Sequence, residues 1–394
     1  MISIGLDSGT SAIKGVCFSP EKGVIKKISR PVELLHPAEN RTELDAEKYF
    51  QLLLEMLRQL AAAADDTIGG IAFAAASGNT LLCNKDGEVL TPIISWLDNR
   101  LPDFMPPEAW QVRETTGWMP LSMFPLMHLE YFKRVSPELL STAQVAMNND
   151  FAVWKLCGNH QLDKSNAAPF YLWDQAANCY AEYIKYYNLQ LSQLPEIVPT
   201  GSVCGYLRDE YTGGNLTGKT AIVAGSFDHP AAARAVKVTE PGTMLLSCGT
   251  SWVGFYPAAD RKEIPHDELC DIFQSDNGGC WGAMFSLAQV GLEVEEFVCN
   301  RYGKTPERYN LFNTEALTEG SPAWKMMYSI IMRFKEKFDS HKNMHKIVIS
   351  GGPSEGRAWQ YYLEKYLNVS VEASPYASYT GAVGAAMIAG GMVK

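Results

Sequence analysis

The stretch Ile2–Phe18, ISIGLDSGTSAIKGVCF, decides the fold. An apolar run carries one acid, Asp7, turns through glycine and hydroxyl residues, and becomes apolar again, which is typical of a β-hairpin. The stretch Thr243–Tyr256, TMLLSCGTSWVGFY, repeats the pattern with the same Gly-Thr-Ser turn. Either turn alone is explained equally well as an ordinary polar hairpin turn, so the surrounding sequence has to decide.

The likeness between the two stretches continues downstream. Asp45 begins an amphipathic helix that leads into the strand-like GGIAFAAASGN, and Ser321 begins a second helix that leads into KIVISGGPSEG. The order of helix, strand and glycine turn is therefore the same in both halves, which indicates a duplicated α/β unit. We predict two domains, residues 1–236 and 237–394, with a ligand cleft between them.

Length and composition limit the class of protein. A chain of 394 residues is long enough for two cores. Its net charge of −10 argues against nucleic acid or an anionic membrane as partner. The sequence has no apolar run of membrane-spanning length and no secretory signal pattern, and its nine cysteines form no C-x-x-C pair. We therefore expect a cytoplasmic protein with reduced thiols and a small-molecule ligand.

Glycine turns with hydroxyl side chains are suited to phosphate oxygens, because backbone N–H groups can approach closely there. Two such turns on facing domains predict a nucleoside triphosphate site, and phosphoryl transfer requires Mg²⁺. We expect Asp7 to hold the metal. Lys14 is expected to supply positive charge, with a salt-bridged or solvent-facing lysine as the alternative. The predicted phosphate contacts are Gly9, Thr10, Ser11, Lys14, Gly249, Thr250 and Ser251.

The acceptor of the phosphoryl group needs a base. Asp228 follows a buried-looking strand and begins an alanine-rich helix, so we predict a general base, with a helix N-cap as the alternative. In SWLDNR, residues 95–100, Trp96 offers a flat face for a sugar, and Asp98 and Arg100 offer polar contacts. The alternative there is an aromatic core residue beside an ordinary ion pair.

The motifs together resemble those of the FGGY carbohydrate kinases, most closely the xylulokinase-like branch, nearly from end to end. The similar segments are GLDSGTSAIKG, PIISWLDNR, the stretch 148–174 with Asp150 and Asp174, AGSFDHPAAARA, PGTMLLSCGTS, ISGGPSEGRAW and YTGAVGAAMIAGG. The resemblance implies a two-domain actin/Hsp70/hexokinase-like fold, which is a duplicated ribonuclease H-like α/β fold. It also implies ATP-dependent phosphorylation of a sugar hydroxyl, most plainly of a pentulose such as xylulose.

The resemblance also assigns roles to single residues. Asp228 matches the catalytic base, Thr10, Gly249 and Thr250 match phosphate contacts, and Gly351, Gly352 and Ser354 fall in the adenine-side loop. His229 stands where a sugar-contacting asparagine is usual, and Asn79 lies where xylulokinases carry a Met-His pair. The expected acceptor-binding residues are therefore Asn79, Trp96, Asp98, Arg100, Asp228 and His229.

Several departures from the family pattern bear on function. Pro353 replaces a common third glycine in the adenine-side loop, Ala235 replaces a later glycine, and the second domain is short between Tyr256 and Pro322. These departures favour the alternative of an inactive relative that binds sugar or nucleotide. An actin-like assembly protein and a nicotinamide dehydrogenase fit less well, the latter because no G-x-G-x-x-G follows the first strand. For the oligomeric state, a homodimer is the candidate that we retain.

Overall fold

The computed structural model describes residues 1–76, 78–106, 109–119, 124–341 and 343–393. Its strands are β1 (Ile2–Ser8), β2 (Ala12–Ser19), β3 (Gly23–Pro31), β4 (Glu43–Leu44), β5 (Ile68–Ala75), β6 (Leu81–Cys83), β7 (Ile93–Ile94), β8 (Gln144–Ala146), β9 (Gln161–Asp163), β10 (Trp173–Asp174), β11 (Cys179–Tyr180), β12 (Glu196–Val198), β13 (Val203–Tyr206), β14 (Ala221–Phe227), β15 (Thr243–Cys248), β16 (Trp252–Ala258), β17 (Leu269–Asp271), β18 (Trp281–Leu287), β19 (Lys346–Gly351) and β20 (Ser370–Ala373).

Its helices are α1 (Ala46–Ala61), α2 (Ala109–Thr116), α3 (Pro125–Val135), α4 (Pro137–Thr142), α5 (Asn148–Cys157), α6 (Lys164–Ala167), α7 (Asp228–Ala235), α8 (Val290–Tyr302), α9 (Arg308–Ala316), α10 (Pro322–Phe338), α11 (Arg357–Leu367) and α12 (Thr380–Ala389). Short 3₁₀ turns cover Glu182–Tyr187, Leu191–Gln193, Asp209–Tyr211, Arg261–Glu263, Ser275–Asn277, Gly352–Glu355 and Ala377–Tyr379.

Two six-stranded sheets repeat one topology. The first has the order β13-β14-β5-β1-β2-β3 and the second the order β17-β18-β16-β15-β19-β20. In each sheet an antiparallel meander of three strands is followed by two parallel strands, so that β1, β5 and β14 correspond to β15, β19 and β20. The predicted duplication is therefore confirmed, and β13 and β17 are edge additions.

The crossover helices form where the sequence predicts them. Asp45 caps α1 by accepting from the Lys48 amide, and Ser321 caps α10 by accepting from the Trp324 amide. Each helix buries one apolar face, Leu53, Leu57 and Leu60 on α1 and Met327, Ile331 and Phe334 on α10. This packing fixes each sheet against its own helix, and the loops at the strand ends are left for function.

The C-terminal helix α12 packs against the first sheet, although its sequence lies at the end of the second half. The contact is backbone to backbone. A Cβ atom on Gly5 would lie 2.0 Å from the Ala382 carbonyl oxygen, and one on Gly384 would lie 1.9 Å from that of Ala231 in α7. Glycine is required at both positions because any side chain would overlap the facing backbone. The division at residue 236 stays a prediction.

The two halves also meet at the edge strand β17. The Cys270 amide donates to the Gly117 carbonyl at 2.7 Å. The Ser165 hydroxyl donates to the buried Asp271 carboxylate at 2.6 Å. Arg113 Nε donates to the Glu268 carbonyl at 2.9 Å. The segment around β17 is thus hydrogen-bonded to Arg113, Gly117 and Ser165 of the first half.

Candidate active site

The carboxyl ends of the central parallel strands place the predicted residues of the first half together. Ser8 at the end of β1 pairs with Ala75 at the end of β5, and Ala75 pairs with Phe227 at the end of β14. The Gly9-Thr10-Ser11 turn, the loop after β5 and Asp228 therefore begin at one edge of the sheet. Ligands of open α/β sheets bind at such strand ends.

Two carboxylates dominate the electrostatics of this edge. Burial raises the pKa of Asp228 to about 7. Burial also raises the pKa of Asp7 to about 7, and the negative charge of Asp228 adds to that rise. Lys14 lies opposite Asp7 in the β1–β2 register, and its positive charge partly offsets the rise. The two acids are thus close enough to repel each other.

Asp228 is the first residue of α7 and does not cap the helix. Phe227 occupies the N-cap position without a side-chain cap bond, whereas the Asp228 carboxylate accepts from the adjacent His229 amide at 2.7 Å. His229 Nε2 lies 3.7 Å from the same carboxylate oxygen. Burial lowers the pKa of His229 to about 4, so its ring is neutral near pH 7. The N-cap alternative for Asp228 is therefore wrong, and a carboxylate beside a neutral imidazole remains.

The donor set of this edge fits Mg²⁺. Mg²⁺ is usually held by one or two carboxylates together with water and substrate phosphates. Asp7 and Asp228 are such a set, because the charge of Asp228 raises the pKa of Asp7 and a cation would relieve that repulsion. A Cβ atom on Gly381 of α12 would lie 2.6 Å from the Asp7 carboxylate, so the missing side chain leaves room for that group. Within the described ranges, no cluster of three or more His, Cys, Asp or Glu side chains could hold a metal ion by itself.

Trp96 contacts the Gly9-Thr10-Ser11 turn, the first of the two turns predicted to bind phosphate, and Asn79 contacts Trp96. The Trp96 indole N–H donates to the Thr10 hydroxyl oxygen at 2.9 Å, and the Trp96 amide donates to Asn79 Oδ1 at 2.9 Å. Asn79 in turn donates to Asn148 at 3.0 Å. Three of the residues expected on the acceptor and phosphate sides are thus joined directly.

Asp98 and Arg100 form a buried ion pair. Asp98 is fully buried and accepts from the Thr42 amide at 2.7 Å and from Arg100 Nε at 2.8 Å. Arg100 also donates to Glu43 at 2.7 Å and lies over the Tyr131 ring. Both Asp98 oxygens accept hydrogen bonds from Arg100 and one of them also accepts from Thr42, so contact of Asp98 with a sugar would require breaking these bonds. The geometry matches the ordinary ion pair that the sequence left open, and the acceptor-binding role of the two residues stays a prediction.

The two motifs of the second half adjoin each other. Cys248, the last residue of β15 before Gly249-Thr250-Ser251, pairs with Gly351 at the end of β19. Gly351 has φ +88°, and a Cβ atom there would lie 2.2 Å from the Cys248 carbonyl oxygen, so this position requires glycine. The following loop, Gly352–Glu355, is a 3₁₀ turn that accommodates Pro353, and the Ser354 hydroxyl donates to the Gly351 carbonyl at 2.6 Å.

The second turn is supported from behind by α8. The Gly291 amide donates to the Thr250 carbonyl at 2.9 Å, and a Cβ atom on Gly291 would lie 2.1 Å from the Gly249 carbonyl oxygen. Gly249 and Thr250 are exposed, and the Gly249 amide donates to the Ser251 carbonyl at 3.2 Å within the turn. The phosphate-binding roles of these residues stay predictions.

Sequence reasoning missed Ser8, Tyr49 and Asn148. The Ser8 and Tyr49 hydroxyls lie 2.8 Å apart, and Asn148 Nδ2 donates to both, at 3.3 and 3.1 Å. All three are buried and line a small pocket beside Gly9 and Thr10. The only sequence signal was a polar Ser8 in an otherwise apolar strand, because the three residues come from distant parts of the chain.

The geometry and the sequence agree with known proteins. A family model, the N-terminal domain of the FGGY family of carbohydrate kinases, matches residues 2–234. The chain belongs to the FGGY family of carbohydrate kinases, as its motifs predict. Among curated proteins, the xylulose kinase of Staphylococcus xylosus is 24% identical over 263 residues, which are 64% of this chain and 54% of the relative. The chain thus spans about half the length of the curated relatives it matches.

Solved structures show the same fold. Ligand-bound xylulose kinase from Lactobacillus acidophilus superposes with a TM-score of 0.84 at 18% identity, covering 100% of this chain and 90% of that chain. Gluconate kinase from the same organism superposes equally well, with a TM-score of 0.84, 18% identity and the same coverage of both chains. The predicted two-domain, actin-like fold is confirmed. In the described part of the chain, no helix is long and apolar enough to cross a membrane.

Proposed function

We propose that this protein transfers the γ-phosphoryl group of ATP to a hydroxyl of a small sugar or polyol. The observation that carries the proposal is Asp228, a carboxylate with its pKa raised to about 7, at the strand edge shared with Asp7 and the first phosphate turn. Membership of the FGGY family supports the same activity. The inactive-relative alternative is not favoured, because the family's acids and glycine turns are all present.

In the proposed mechanism, Asp228 accepts the proton of the attacking hydroxyl as its oxygen bonds to the γ-phosphorus of ATP, while the bond from that phosphorus to the β–γ bridging oxygen breaks and ADP leaves. A carboxylate with a pKa near 7 is a better base than an ordinary aspartate and is about half ionised at pH 7. The two Gly-Thr-Ser turns bind the nucleotide phosphates through backbone N–H and hydroxyl groups. Asp7 would hold Mg²⁺, which neutralises charge on the phosphates when it is bound with ATP.

The acceptor is proposed to lie between Asp228 and Trp96, with its C–H groups on the Trp96 ring face. Relatives named xylulose kinase and a structural neighbour named gluconate kinase suggest a pentulose first and an aldonate second. The two acids at the site favour an uncharged acceptor, since they would repel a carboxylate. A pentulose such as xylulose is therefore the proposed substrate. The protein is further proposed to act in the cytoplasm.

The test compares wild-type protein with Asp228→Asn. Transfer of labelled γ-phosphate from MgATP to D-xylulose is measured for both, together with nucleotide binding by calorimetry. We expect Asp228→Asn to lose about 10²–10⁴-fold in turnover while ATP affinity changes little. Equal turnover by the variant would exclude Asp228 as the base.

A further inference from the structure

A chain of hydrogen bonds leaves the end of β1 at Ser8 and returns to the neighbouring Gly9-Thr10-Ser11 turn at Thr10. The circuit, which we call the polar ring, starts at Ser8, passes through Asn148, Asn79 and Trp96, and returns to Thr10, two residues after Ser8. Its distances are 3.3 Å for Asn148 to Ser8, 3.0 Å for Asn79 to Asn148, and 2.9 Å for each of the two bonds made by Trp96.

The side-chain amides of Asn79 and Asn148 both take part in hydrogen bonds of the polar ring. Asn148 donates to Ser8 and Tyr49 and accepts from Asn79, while Asn79 accepts from the Trp96 amide. Ser8, Asn79 and Asn148 are all buried. A buried polar network whose members are satisfied holds its groups in one geometry. The ring therefore fixes the position of Trp96 relative to the phosphate turn.

The hydrogen bond from Trp96 to Thr10 determines whether the Thr10 hydroxyl donates or accepts. The Trp96 indole nitrogen can only donate, so Thr10 Oγ1 must accept from it. A hydroxyl has one hydrogen, and this bond leaves that hydrogen free to donate elsewhere. Thr10 stands in the turn proposed to bind phosphate, so a phosphate oxygen is the acceptor that suits the hydrogen. The same bond uses the Trp96 N–H, which leaves Trp96 only its ring face for a sugar.

We propose that Trp96, Asn79 and Asn148 are positioning residues that orient the Thr10 hydroxyl as a donor to a nucleotide phosphate. The polar ring thereby couples the two substrates, because an acceptor that packs on Trp96 stabilises the ring and hence the orientation of Thr10. This inference rests on the proposed sugar kinase function. By linkage, each substrate then raises the affinity for the other by the same factor.

The test is a double-mutant cycle of Trp96→Phe and Thr10→Val, with kcat and both KM values measured. Phenylalanine keeps a ring face and lacks the N–H. We expect each single variant to lower kcat by about 10-fold, with the acceptor KM of Trp96→Phe within about 3-fold of wild type. The double variant should be no worse than the single ones, and Thr10→Ser should restore most of kcat. Effects that multiply in the double variant would overturn the proposal.

A binding measurement separates this proposal from the function it rests on. The affinity for a non-hydrolysable ATP analogue is measured with and without acceptor in wild type, Trp96→Phe, Asn148→Ala and Tyr49→Phe. We expect the acceptor to tighten analogue binding in wild type and in the control Tyr49→Phe, which keeps the bonds from Asn79 to Thr10, but not in the other two. Undiminished coupling in Trp96→Phe would contradict the ring while leaving the kinase function intact. Wild-type protein that binds the analogue but transfers no phosphate to any acceptor would contradict the function instead.

Discussion

At the residue scale, the acid Asp228 carries the proposed chemistry, and its environment sets the pH at which it works. Burial raises its pKa to about 7, and the free enzyme needs its ionised form. We therefore expect kcat/KM to rise with pH between about 6 and 8 and to level off above, since kcat/KM reports the free enzyme. The check is a pH–rate profile with MgATP and acceptor both below their KM values. A profile that is flat from pH 5 upward would mean that Asp228 ionises like an ordinary aspartate.

The same raised pKa has a cost in stability. Between the ordinary aspartate pKa of 3.8 and about 7, the folded protein binds more protons at Asp228 than the unfolded chain does, so stability falls as pH rises through this range. Asp228→Asn removes the buried charge. We expect the variant to be more stable than wild type by about 2 kcal/mol at pH 8 and equally stable near pH 4.

Urea unfolding at both pH values measures this difference. The exposed Asp86, replaced in Asp86→Asn, is the matched control and should leave the free energy of unfolding unchanged at either pH. A variant that is destabilised at pH 8 would show that the Asp228 carboxylate stabilises the fold.

Asp98 is expected to matter for folding. It is fully buried and paired with Arg100, so Asp98→Ala removes one of the two carboxylates that pair with Arg100 and leaves the Thr42 amide without its acceptor, which should cost about 3 kcal/mol. The exposed pair Lys335–Asp339 serves as control, and Asp339→Ala should cost less than about 1 kcal/mol. Chemical denaturation measures both. Equal costs would contradict the buried-pair assignment.

At the element scale, α12 joins the end of the chain to its beginning. Gly384 lies so close to α7 that Gly384→Ala would place a methyl group 1.9 Å from the Ala231 carbonyl oxygen. We expect a loss of about 3 kcal/mol or a failure to fold, because neither helix backbone can move freely. Gly218→Ala is the matched control. Its Cβ atom would meet only the Asp209 side chain, at 3.5 Å, and it should be nearly neutral in thermal unfolding. A stable Gly384→Ala protein would contradict this packing.

The elements also show how far sequence reasoning reaches. The two Gly-Thr-Ser hairpins, the caps Asp45 and Ser321, and the strand-end position of Asp228 follow from local pattern, because turn chemistry, capping and periodicity are local. The return of α12 to the first sheet and the polar ring through Asn148 could not be predicted. Both depend on contacts between residues far apart in the chain, such as Asn148 and Ser8, which are 140 positions apart, and no local pattern encodes such contacts.

For Asp98, Arg100 and Asp228, the neighbouring residues in the structure show what the sequence left open. Asp98 and Arg100 carry polar groups that would suit a sugar, but their spacing also suits a salt bridge, and Glu43 and Thr42 complete that bridge from an earlier loop. A structural helix cap was the alternative to the preferred general-base prediction for Asp228, and the structure places Phe227 at the cap position. In both cases the residue type indicated a polar or acidic site. The sequence alone did not show which neighbouring residues each side chain would contact.

At the scale of the whole molecule, two copies of one α/β unit place their strand-end glycine turns on separate sheets. The helices α7 and α12, which follow the last parallel strand of each unit, pack together between them. The segment around β17 adds hydrogen bonds between the halves. This arrangement gives the proposed kinase one half for the acceptor and Asp228 and another for the nucleotide.

The central claim is acceptor-dependent phosphoryl transfer from MgATP, and the most direct measurement is ADP release. Wild-type protein is assayed with xylulose and other ketopentoses, aldopentoses, deoxysugars, polyols, glycerol and gluconate, and Asp228→Asn is run beside it. We predict release that depends on one uncharged acceptor and on Asp228, with little response to gluconate. Binding of ATP without acceptor-dependent ADP release from any compound would contradict the kinase function and favour a sugar- or nucleotide-binding protein.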